Sequence, residues 1–111
     1  MRLRILTALL LALTVANCAA ANDQLVAALK QLGKAVDDMS ANISHATSDA
    51  DAEILANVTR RALGNGLRQD HPDVVIKASA GYCLVTIDTA KWKLWSESHD
   101  GKVTSHGATI H

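Results

Sequence analysis

The chain has 111 residues, 49% of them hydrophobic, but only Trp92, Trp95 and Tyr82 are aromatic and Phe is absent. Lys plus Arg and Asp plus Glu number 11 each, so the formal net charge is zero. That length supports one small domain, and that balance excludes both a strongly basic nucleic-acid binder and an acidic disordered tail.

Residues 1–21 read as an address. Arg2 and Arg4 give a basic start, and residues 5–16 (ILTALLLALTVA) form an uncharged apolar run. The run is shorter than the roughly 18–20 residues a membrane-spanning helix needs. With Ala19, Ala20 and Ala21 after it, the pattern is a secretory signal peptide cut before Asn22. Val15, Ala16 and Asn17 before Cys18 resemble the box that precedes a lipidated cysteine in bacterial lipoproteins. Asn17 is larger than the usual Gly, Ala or Ser, which sets lipidation of Cys18, and with it any membrane attachment, second to simple cleavage. The expected organisation is therefore a signal over 1–21 and one domain over 22–111, helical through 66 and a β-meander over 74–110. Without Arg2 and Arg4 the domain is mildly acidic, with nine Lys/Arg against eleven Asp/Glu. Cys83 is then its single thiol, so no disulfide framework is available.

The first helix is expected from Asn22, a candidate N-cap. Leu25, Leu29, Leu32, Val36, Met39 and Ile43 recur at alternating four- and three-residue spacing, an a/d seam. This seam predicts packing onto a sheet in the same chain or, as the sharper reading, onto a second helix. Ser44 to Asp49 is poor helix material. Ser48 with Asp51 reads as a capping box opening a second helix over about residues 49–63. Its apolar side is expected to carry Ile54, Leu55, Val58 and Ala62, and Gly64-Asn65-Gly66 is expected to end it. A single bent helix is the alternative.

Four strand-like runs follow. Two-residue hairpin turns at Ala80-Gly81, Thr89-Ala90 and Asp100-Gly101 align Ile76, Val85 and Leu94 in one row. Val74, Ile87 and Trp92 form a second row on the same face, and Ala78, Cys83, Ser96 and Ser105 a third. The opposite face is expected to carry Lys77, Leu84, Trp95 and His106 in one row, with Tyr82 beside it. The fold class is α+β: two N-terminal helices, or one bent helix, packed on a four-stranded antiparallel β-meander.

Several constellations invite chemistry. Cys83 would need a nearby base and a depressed pKa to act as a nucleophile, and the register turns it inward. His45, His71, His99, His106 and His111 lack the paired close spacing of zinc ligands. The Gly64–Gly66 pair closes a helix, whereas a phosphate loop opens one. Arg60, Arg61 and Arg68 make a cluster too small for a nucleic-acid stripe. No enzyme, cofactor or metal is therefore expected. Trp and Tyr on an open sheet face are the residues enriched at binding hot spots. The expected function is non-enzymatic protein binding in the periplasm or outside the cell, as an inhibitor, an immunity-type protein or an envelope accessory. Tyr82, Leu84, Trp95 and His106 would form the surface. The alternative is a self-assembling envelope protein whose seam or edge strand makes homo-oligomers. Residues 49–88 resemble the first half of a periplasmic BON domain, and a helix before a meander resembles a pilin outline. The hairpins after Asp88 and the lack of a prepilin Glu depart from both, so neither family is assigned.

Overall fold

Alternation of branched apolar residues with polar ones builds the sheet, and the computed structural model follows it strand by strand. Residues 18–111 are described, with side chains from Asn22 onward. The basic start and apolar run of the expected signal lie outside them, and of Cys18 only the backbone is described. Helix α1 spans Cys18–Ser44 and α2 spans Asp49–Gly66. Strands β1 (Asp73–Ser79), β2 (Tyr82–Asp88), β3 (Trp92–His99) and β4 (Lys102–Ile110) follow. The sheet is antiparallel in the order β1-β2-β3-β4, so the α+β meander expected from the hydrophobic pattern is the observed fold. Among the described residues, 18–66 form two helices and not one bent helix.

The chain divides into two compact units, Met1–Leu32 and Gly33–His111. The described part of the first is helical throughout, which puts Asn22 inside helical backbone and not at its cap. The second unit contains the sheet, α2 and the last turns of α1.

In that unit, Val36, Ser40, Ile43 and Ser44 are the buried positions of α1. All four are small or β-branched, and two are serines that an apolar pattern does not count. Their size lets the helix lie close along β3. A Cβ on Gly33 would meet Leu94 Cδ1 at 3.7 Å. Ser40 Oγ donates to Ser96 O at 3.3 Å and lies 2.8 Å from Ser98 Oγ. Further along, Ser44 Oγ accepts from Gly101 N at 2.9 Å and donates to Ala41 O. Each of these hydroxyls is buried with a partner, which avoids the desolvation cost of an orphaned polar group.

The helix break is stitched to the hairpin ends. Gly81 N donates to Ala46 O, and Asp100 N donates to Gly81 O. Ala80 N donates to Asp49 Oδ1 at 2.8 Å. Ser48 is the N-cap of α2, accepting from Asp51 N as the capping pattern predicts.

Helix α2 packs on β1 with a face different from the expected one. Ala52, Ala56 and Leu63 are buried, whereas Ile54 and Val58 are 61% and 62% exposed. Alanines bring the helix near the strand, and Arg60 Nη2 reaches Ile76 O at 3.3 Å. Choosing the face by side-chain size selected the wrong stripe. The helix also runs through Gly64 and Asn65 to Gly66, with Leu67 N donating to Leu63 O at its end. A short 3-10 turn (Arg68–Asp70) follows, and the left-handed residue that stops it is His71, at φ 47°.

Under the helices, Cys83, Val85, Ile87, Trp92 and Leu94 are buried on the inner face of β2 and β3. Each fully buried aliphatic side chain contributes roughly 1.5–3 kcal/mol.

Candidate functional site

The outer face of the sheet, away from α2 and the second half of α1, is set by two hairpin details. Between β2 and β3, the chain does not turn at Thr89-Ala90. Thr89 N donates to Trp92 O, so Ala90-Lys91 form the turn. Thr89 Oγ1 donates to the same carbonyl and accepts from both Lys91 N and Trp92 N. This hydroxyl network outweighs the weak turn preference of the flanking residues. Moving the turn by one residue slides the pairing by two, giving Ile87↔Leu94, Val85↔Ser96 and Cys83↔Ser98. The faces survive because the period of a strand is two; the rows do not. Leu94 therefore sits beside Ile87 in place of Val85.

Between β3 and β4, the Asp100-Gly101 turn forms as expected, with φ of 50° and 85° at its two residues. A bulge at Glu97/Ser98 then inverts the remainder of β4. Thr104 is the extra residue, its Oγ1 donating to Glu97 O at 3.3 Å. Past it Ser105 pairs with Glu97, His106 with Ser96 and Gly107 with Trp95. This corrects the expected row: His106 does not share a face with Trp95, Leu84 and Tyr82. It points to the helix side, where its Nδ1 lies 2.8 Å from Asp37 Oδ2.

What remains on the outer face is an ordered aromatic patch. Leu84 stands between Lys77 and Glu97, and Trp95 between Thr86 and Gly107. The indole lies over Gly107 so closely that an added Cβ would sit 2.6 Å from Trp95 Cη2. Only glycine leaves room for that ring. Tyr82 OH donates to Glu97 Oε2 at 2.8 Å, and its ring meets His99 at 5.1 Å between centroids, tilted by 60°. His99 Nδ1 is in turn 3.0 Å from Thr104 Oγ1. The hydrogen bond to the Glu97 carboxylate, with burial and the same negative charge adding to it, raises the Tyr82 phenol above its ordinary pKa. Tyr82, Leu84 and Trp95 are each half-buried by their neighbours on the sheet. Trp92, by contrast, is 3% exposed in the core.

Cys83 faces the helices and is fully buried. Burial pushes its thiol up, against a smaller opposing effect of the Ser40 hydroxyl. That is the reverse of what a thiolate nucleophile requires. Among the described residues, no three His, Cys, Asp or Glu side chains converge as a metal site, and no helix is long and apolar enough to cross a membrane.

Two parts of this patch escaped the sequence reading: the bulge and the glycine seat under Trp95. An isolated glycine inside a strand pattern marks a bulge or a close approach, and Gly107 is such a residue. Set against models of known protein families, against characterised proteins and against solved structures, the chain matches none.

Proposed function

We propose that this is an exported protein that acts by binding another protein through the outer face of its sheet, with Tyr82, Leu84 and Trp95 as the contact residues and no catalytic step. The observation that carries the reading is the preorganisation of Trp95 and Tyr82. One is held over Gly107 and the other is anchored to Glu97. Aromatic side chains fixed before binding lose little rotamer entropy when a partner covers them. The basic start and short apolar run at the N-terminus support export, with release by cleavage before Asn22.

The test is a pull-down from the native envelope, with the mass of the exported protein measured alongside. Wild type should retain a partner that Trp95→Thr and Leu84→Thr lose, with far-UV spectra unchanged. Equal capture by all three proteins would overturn the reading.

A further inference from the structure

We propose that α2 is a self-association helix, pairing antiparallel with α2 of a second copy through the side turned away from the sheet. This inference uses a surface separate from the outer face and does not depend on it.

Helix α2 carries two stripes on opposite sides. Ala52, Ala56 and Leu63 meet the sheet. Half a turn away, Asp51, Ile54, Val58 and Arg61 follow one another at three-, four- and three-residue spacing, the a/d geometry of a helix pair. All four are exposed, Ile54 and Val58 by 61% and 62%. Two branched apolar residues so exposed beside each other cost solvation that a partner helix would recover.

The order along the stripe specifies the partner. A two-fold contact requires a surface complementary to itself, so that residue i meets j and j meets i. An antiparallel pair centred between Ile54 and Val58 brings Ile54 of each copy against Val58 of the other. The same operation sets Asp51 against Arg61, twice, one ion pair at each end. Ala50 and Ala62, one on each flank of the stripe, are small enough for the helix axes to approach. A parallel pair would instead stack Asp51 on Asp51 and Arg61 on Arg61. The charges thus select both the second copy and its direction.

The experiment is sedimentation equilibrium of the purified protein over a range of concentrations, with far-UV spectra to check folding. Wild type should move from one chain toward two as concentration rises, less so at high salt. Asp51→Arg and Arg61→Asp place like charges at both ends and should each weaken association about tenfold or more. The double variant Asp51→Arg/Arg61→Asp should restore it, a rescue that damage to the fold would not produce. Ile54→Asp should leave a monomer, and Leu84→Thr on the outer face should change nothing. A wild type that stays monomeric throughout, single variants without effect, a double variant that does not recover, or dissociation by Leu84→Thr would overturn the proposal.

Discussion

The two faces of the sheet are built from different materials. Apart from Trp92 at one end, the inner face is aliphatic and small, with Val85, Ile87 and Leu94 beside Cys83, Ser96 and Ser98, all buried. The outer face holds Trp95 and Tyr82 among Lys77, Lys93 and Glu97. Small residues inside let α1 lie close along β3. Large side chains outside are held by neighbours on the sheet itself, by Gly107 and Glu97. Stability should therefore reside in one face and recognition in the other.

That division can be broken by substitution. The largest effect is expected inside: Leu94→Ala or Ile87→Ala should cost about 2–5 kcal/mol, read by chemical denaturation. A loss below about 1 kcal/mol would mean that the inner face is not the core. Next is Gly107→Ala, whose methyl group enters the space of the Trp95 ring. It should cost about 1–3 kcal/mol, the range for overpacking, and shift Trp95 fluorescence as the ring is displaced. An unperturbed emission spectrum would show that the ring does not rest there.

A smaller effect is expected from Cys83. Its folded pKa is raised above the ordinary 9.0 by burial. Above that pH the unfolded thiol loses its proton while the folded one keeps it. The contribution of Cys83 is therefore fully present below pH 9.0 and falls as pH rises toward the folded value. Denaturation midpoints between neutral and alkaline pH should drop more in wild type than in Cys83→Ala. Parallel slopes would contradict an inward thiol. Least affected should be Leu84→Thr, which stays within about 0.5 kcal/mol of wild type.

The same contrast explains how far the sequence could be read. The face of each β2 and β3 residue was legible because alternation survives a slide of two. Trp92 inside, with Trp95 and Tyr82 outside, follows directly. Row neighbours were not, because they depended on which of two adjacent backbone positions the Thr89 hydroxyl would close. His106 was misplaced by the single extra residue at Thr104. On α2, the large side chains Ile54 and Val58 suggested the buried face, but close approach to β1 favoured alanine. Apolar periodicity identifies a stripe; it does not say which of two stripes meets the sheet.

The most direct measurement pairs an inner with an outer substitution in one experiment. Leu94→Ala and Leu84→Thr would each be followed by denaturation and by capture of the partner that wild type retains. The account predicts a large loss of stability with capture kept in the folded fraction for Leu94→Ala. For Leu84→Thr it predicts wild-type stability with capture lost. Capture by Leu84→Thr equal to that of wild type would contradict it.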